Sequence, residues 1–190
     1  MAAKPANFVE HMEEHLGRIQ AGARLSESIH GVRFADMPEP GASTFATLGL
    51  THHVLKQGGD GPDVRVEFLV ACRDEVVDAF NPLSVLAAMS DQAMDLHTAP
   101  PRGTVIGPRG RFFPASEMEA LYCAAPTYFH EELTSFSGFP EPLVIVWLVP
   151  IHPAEARFIR SHGWQKFEEK LDEANPDLLD LGRAAVVDHG

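Results

Sequence analysis

The run Leu143-Val144-Ile145-Val146-Trp147-Leu148-Val149-Pro150-Ile151 offers no polar face to water. Nine residues cannot span a bilayer as a helix. Their β-branched content and closing proline read instead as a strand buried on both faces. Such a strand needs neighbours on both sides and a covering layer above and below, so it dictates a sheet with helices on each face. Directly after it, Pro153 suits a first helical position and Glu155 a first turn. Ala156, Phe158 and Ile159 form the apolar body of that helix, and Gly163 stands where a left-handed C-terminal cap belongs. At the junction, His152 and Glu155 are accounted for as capping residues.

The remaining segments supply the other layers. Phe8, Met12, Leu16 and Ile19 recur at helical spacing opposite Glu10, Glu13, Glu14 and Arg18, which predicts an amphipathic helix over 5–20 ending near Gly22. Strands are expected over 29–37 and 43–50, with Gly49 marking a bulge or a close backbone approach. After the hairpin-like loop 57–62, Val64, Val66, Phe68, Val70 and Cys72 alternate strictly and give the clearest strand in the chain. Asn81-Pro82 opens a helix with Leu83, Leu86, Ala87, Ser90, Met94 and His97 along one stripe. Short strands follow near 104–106 and 120–124. Segment 126–142 is a long loop rich in aromatic residues, and loops of that length are often functional. Trp164, Phe167 and Leu171 continue a further helix that Asn175-Pro176 breaks. Helix–strand alternation is too irregular for a doubly wound parallel sheet. The expected class is α/β (α+β): a mixed central β-sheet covered by helices on both faces, as a single domain over residues 1–190.

Composition narrows the partner. Lys and Arg number 15 against 27 Asp and Glu, a net charge of −12, whereas a phosphate backbone demands clustered cations. Nucleic acid is therefore not the expected partner; a basic protein is compatible with this charge. The two cysteines, Cys72 and Cys123, lie in apolar strand-like runs, so a reduced compartment is the simpler inference. The amino terminus lacks the apolar segment of a signal peptide. The expectation is a cytoplasmic protein with no membrane association.

Catalytic constellations are weak. His11-Met12-Glu13-Glu14-His15 matches the H-x-x-E-H pattern in which two imidazoles share zinc and a glutamate acts as base. No third ligand is evident, and a solvated glutamate-rich helix face explains the same residues, with His11 and His15 mostly exposed. His52-His53 would point to opposite sides of an extended chain and could not chelate together. Cys123 with His130 could serve as nucleophile and base, but a buried structural thiol fits the Leu121–Ala125 context better. Glu67, between Val66 and Phe68, is expected to form a structural ion pair with a residue such as Arg65 or Arg183. Phosphate-binding glycine loops, G-x-S-x-G and Cys-x-x-Cys are absent from the sequence. No catalytic residue, metal site or cofactor is assigned.

In order along the chain, several segments resemble one family. Thr47-Leu48-Gly49-Leu50-Thr51-His52 resembles the Thr-Leu/Met-Gly-Met-Ser element of the suppressor of fused (Sufu) domain family, with Leu50-Thr51 in place of its Met-Ser. Arg65–Leu69 is similar to the strand that follows, and Leu143–Glu155 to the family's strand, proline and acidic helix start. Gly163-Trp164 and Asp180–Arg183 resemble its closing segment, and Phe8–Gly17 its opening helix. The resemblance implies an α/β sandwich without a known catalytic centre that acts by binding protein. Animal members sequester a zinc-finger transcription factor, and bacterial members are thought to include immunity proteins against secreted toxins. The animal proteins carry a second domain for which 190 residues leave no room, so their partner and binding residues are not carried over.

Together these readings lead to a non-enzymatic binding module, an immunity protein or regulator, with a protein partner that is a basic toxin or a regulator. Candidate anchors are Tyr128, Phe129, Phe136 and Phe139, rimmed by Glu131, Glu132 and Glu141 on the same loop. The alternatives are a small zinc hydrolase using His11, Glu14 and His15, and a structural subunit of a larger assembly.

Overall fold

The computed structural model describes residues 7–187. In chain order the elements are helix α1 (Phe8–Leu16), strands β1 (Ile19–Arg24), β2 (His30–Ala35), β3 (Ala42–Leu48), β4 (Leu55–Gln57) and β5 (Asp63–Arg73), then helices α2 (Val77–Phe80) and α3 (Pro82–Leu96). Strands β6 (Thr98–Ala99), β7 (Val105–Ile106), β8 (Ala120–Ala124) and β9 (Leu143–Ile151) follow, and helices α4 (Pro153–His162) and α5 (Trp164–Ala174) close the fold. The main path of the sheet runs β1-β2-β3-β5-β9-β8-β7, with β4 bridging β5 and β6. Neighbours are antiparallel except for β5 with β9 and β4 with β6, which are parallel. The sheet is therefore mixed, as expected.

Both strongly patterned strands lie inside it: β5 between β3 and β9, and β9 between β5 and β8. Val66, Phe68, Val70, Ile145 and Trp147 are all buried. The alternation in β5 separates two apolar layers. Val66, Phe68, Val70 and Cys72 pack with Val85, Leu86, Met89 and Ala93 of α3 on one face. Leu69 and Ala71 join Met12 and Leu16 of α1, Ile159 of α4 and Phe167 of α5 on the other. Among the described residues no helix is long and apolar enough to cross a membrane.

Several boundaries differ from the sequence expectation, each for a physical reason. Helix α1 is shorter than 5–20; residues 5 and 6 lie outside the described residues. Asn7 caps it by accepting from the Glu10 N–H at 2.9 Å, and it ends at Gly17, which has φ +81°. Ile19 and Gln20 instead open β1. That strand escaped detection because only Ile19 of its six residues is even partly covered, so no alternation marks it. The buried stripe of α3 keeps Leu86 and Ser90 of the expected one but is broadened by Val85, Met89 and Ala93, whereas His97 is an exposed left-handed C-cap. His52 ends a 3-10 turn over Leu50–His52, and only His53, its C-cap, is in extended backbone.

That turn depends on Gly49. Its φ is +105°, and a Cβ placed there would lie 2.1 Å from the Ser28 carbonyl oxygen. Backbone cannot yield to that clash, so glycine is required where the chain leaves β3. The chain thereby swings out between β3 and β4, which both lie beside β5 but at opposite ends of it.

Phe68 is fully buried in the layer under α3. Phe68→Ala should lower unfolding free energy by about 3–5 kcal/mol in urea titration. A loss below about 1 kcal/mol would mean that this layer is not the tightly packed core described.

Candidate interaction surface

Opposite α3, segment 126–142 folds over the sheet and against α1. Its 3-10 turn, Glu131–Thr134, buries Leu133, whose carbonyl accepts from His11 Nε2 at 2.8 Å. Phe136 and Phe139 meet each other at 5.0 Å between centroids and meet Phe8 at 5.4 and 5.6 Å. Arg65 caps the group, its guanidinium 5.4 Å from the Phe139 ring while pairing with Glu141 at 2.7 Å. Further back, Tyr128 and Phe129 pack on Trp147 at 4.8 and 6.0 Å. The Tyr128 hydroxyl donates to the Pro176 carbonyl at 3.2 Å.

The loop's aromatic residues thus divide between two places. Phe136 and Phe139 are half-buried against α1, whereas Tyr128 and Phe129 sit over β9, with Tyr128 39% exposed. Glu131 and Glu132 are exposed, and Glu141 is half-buried in its pair with Arg65.

A cleft of about 1070 Å³ opens between α1, the loop and the β1–β3 end of the sheet. Phe8, Val9, Phe136 and Phe139 wall it; Val32, Leu48, Gly49 and Thr51 form its floor. Sequence reasoning found the loop half of this cleft but not the half built by α1 and β1. Phe8 was readable only as a core position of a helix, and β1 was not recognised at all.

Beneath the floor lies Glu67, which is completely buried. The expected ion pair with Arg65 or Arg183 is not what holds it. One carboxylate oxygen accepts from Gly49 N–H (3.0 Å), Thr51 N–H (3.0 Å) and the Thr51 hydroxyl (2.8 Å). The other oxygen has no hydrogen-bond partner among the described residues. Arg65 is drawn off to Glu141 and to the Thr51 carbonyl. Arg183 lies across the molecule, bound to Glu155 through two hydrogen bonds of 2.7 and 2.9 Å. Burial pushes the Glu67 carboxyl up to about 7, even though the nearby Thr47 hydroxyl and the donors of Thr51 and Gly49 favour its charge. Glu155 behaves oppositely. Burial raises it, but hydrogen bonds and charge from Arg183, with donors from Val186 and His152, outweigh burial and hold it below the usual carboxylate range.

The other candidates for chemistry are placed as follows. His11 is buried rather than exposed, and His15 is half-buried, because α1 turns this face toward the loop. The rings lie 4.7 Å apart, but His11 Nε2 is committed to Leu133, and Glu14 is exposed. Burial, then the neighbouring His11, lowers the pKa of His15. Among the described residues no three His, Cys, Asp or Glu side chains are arranged to hold a metal ion. Burial pushes both thiols, Cys72 and Cys123, up to about 12, far from a nucleophile's range.

Layered helices over a mixed sheet, with interior carboxylates engaged in holding turns and a cleft built from a long loop, define an α/β sandwich domain. The chain belongs to the Suppressor of fused protein (SUFU) family, whose sequence profile matches residues 26–184. It is 22% identical over 163 residues to the immunity protein YqcF of Bacillus subtilis (strain 168), covering 85% of this chain and 83% of YqcF. A SUFU homologue from Neisseria gonorrhoeae FA 1090 superposes with a TM-score of 0.71 at 21% identity, covering 96% of each chain. A chain of the Sufu–Fu complex gives a TM-score of 0.65 at 11% identity, covering 94% of this chain and 90% of that one. Drosophila Suppressor of Fused gives 0.57 at 13% identity, and there the match covers 83% of this chain but only 42% of the other. These structural likenesses show the fold.

Glu67 makes stability depend on pH with a definite sign. Its folded value near 7 exceeds the ordinary 4.5, so the folded state binds the proton more tightly. Stability from this group is therefore greatest at or below pH 4.5 and falls as pH rises through about 7. The full effect is at most roughly 3 kcal/mol. Glu67→Gln should flatten the decline measured by urea unfolding between pH 5 and 8. An undiminished slope in that variant would assign the decline to another group.

Proposed function

We propose that this chain is a binding module that acts without catalysis, sequestering a protein partner in the manner of an immunity protein. The partner is a basic toxin or a regulator. The observation that carries the reading is the cleft walled by the half-buried rings Phe8, Phe136 and Phe139, two of them on a loop that also carries the exposed carboxylates Glu131 and Glu132. Apolar anchors within a polar rim are the usual anatomy of a protein interface. The net charge of −12 favours a basic partner. Similarity to an immunity protein, and to a chain of the Sufu–Fu complex, supports binding rather than turnover as the activity. The raised thiols support the same reading. In this proposal Tyr128, Phe129, Phe136 and Phe139 contribute apolar contacts, and Glu131 and Glu132 steer the encounter.

Titration against the partner protein, captured by pull-down with the full chain and then purified, tests it. Phe136→Ala and Phe139→Ala should each weaken binding by about 1–3 kcal/mol, mainly through faster dissociation. Glu131→Gln with Glu132→Gln should instead slow association at low salt, with the difference fading as salt is added. If both sets bind like the parent protein, the interface lies elsewhere.

A further inference from the structure

A second concavity of about 300 Å³, which shares no lining residue with the cleft, opens between the start of the loop and α5. Tyr128 and Trp147 form a corner of aromatic rings there, tilted by 49° at 4.8 Å between centroids. Glu168 and Asp172, one turn apart on α5, line the facing wall. The one cation in the lining, Arg102, is already engaged: its Nε donates to Glu168 at 3.0 Å, and its guanidinium lies 5.0 Å from the Trp164 ring. The Tyr122 hydroxyl also donates to Glu168, at 2.7 Å. Glu168 is thus neutralised and satisfied, while exposed Asp172 has no ion-pair or hydrogen-bond partner among the described residues.

We infer that this pocket receives a lysine or arginine side chain of the protein partner, its cation held against the exposed Tyr128 ring, which the buried Trp147 backs, and paired with Asp172. Ring faces carry negative potential and attract a cation within about 6 Å. The open carboxylate adds an opposite charge, and the chain's own cation is turned away to Glu168. A pocket of this size admits an extended side chain but not a folded element. The inference rests on the binding-module reading and deepens it by placing a basic anchor beside the aromatic cleft.

The decisive probe is small and independent of any partner: Nα-acetyl-arginine N-methylamide, titrated into uniformly ¹⁵N-labelled full chain and followed by NMR. Saturable shifts centred on Ala124, Ala125 and Asp172, absent with the uncharged norleucine analogue, are the expected result. Asp172→Asn should weaken this binding by about two- to fivefold, and Tyr128→Ala should do likewise. Tyr128→Phe keeps the ring and should bind like the parent protein, which separates loss of the ring from loss of the hydroxyl's contact with Pro176. Equal response to norleucine, shifts centred on Phe136 instead, or unaltered affinity in Asp172→Asn would each overturn the site. With the partner itself, full affinity in Asp172→Asn alongside loss in Phe136→Ala would overturn this pocket while leaving the cleft reading intact.

Discussion

Parallel pairing of β5 with β9 constrains everything else in the molecule. The ladder joins Arg65–Leu69 to Leu143–Trp147, and both strands are covered on each side. Parallel neighbours cannot be joined by a tight turn, so the chain must leave the sheet and return. Residues 74–142 make that excursion: α3 closes one face, β8 comes back to pair with the far edge of β9, and the aromatic loop descends on the opposite face. The loop that walls the cleft is therefore the last part of a connection the topology demands. Its position against α1 follows from where β9 must begin.

Two fully buried carboxylates show different solutions to one problem. Glu155 sits at the start of α4 with a bidentate arginine, and its charge is retained. Glu67 has only neutral donors on one oxygen and none on the other. A buried ion pair offsets desolvation by Coulombic attraction, whereas dipolar donors do so incompletely. The cost at Glu67 accompanies an architectural gain. β3 and β4 leave a gap along β5, and the carboxylate gathers the Gly49 and Thr51 amides that would otherwise lie unpaired there. Thr47 completes the repair by accepting from the Phe68 N–H at 2.8 Å.

Much of the sheet was legible because its strands carry their environment in their pattern. Period-two alternation located β5, and unbroken apolarity placed β9 inside the sheet. The aromatic loop was legible from its length and composition. What was not legible was set by distant contacts. β1 presents Gln20, Ala21, Gly22 and Ala23 to solvent, so its hydrogen bonds to β2 leave no trace in side-chain type. The partners of Glu67 are mostly backbone amides, which no sequence pattern announces. His11 looked solvated among glutamates, and only the returning loop, 122 positions later, covers it. The acidic pocket wall on α5 was invisible because Asp172 is an ordinary surface residue until Tyr128 is folded opposite it.

The segment that follows α5 acts on the fold as a late checkpoint. Asp177 ties to Arg73, Pro176 receives the Tyr128 hydroxyl, and Arg183 supplies the cation that Glu155 lacks until then. A nascent chain interrupted after α5 would contain every strand and helix described, yet would lack the cation that compensates the charge at the head of α4. Such a product would sample open forms and be removed by cellular proteolysis, whereas the chain carrying Arg183 would persist. The cell's count of competent molecules is then a count of chains that reached that residue.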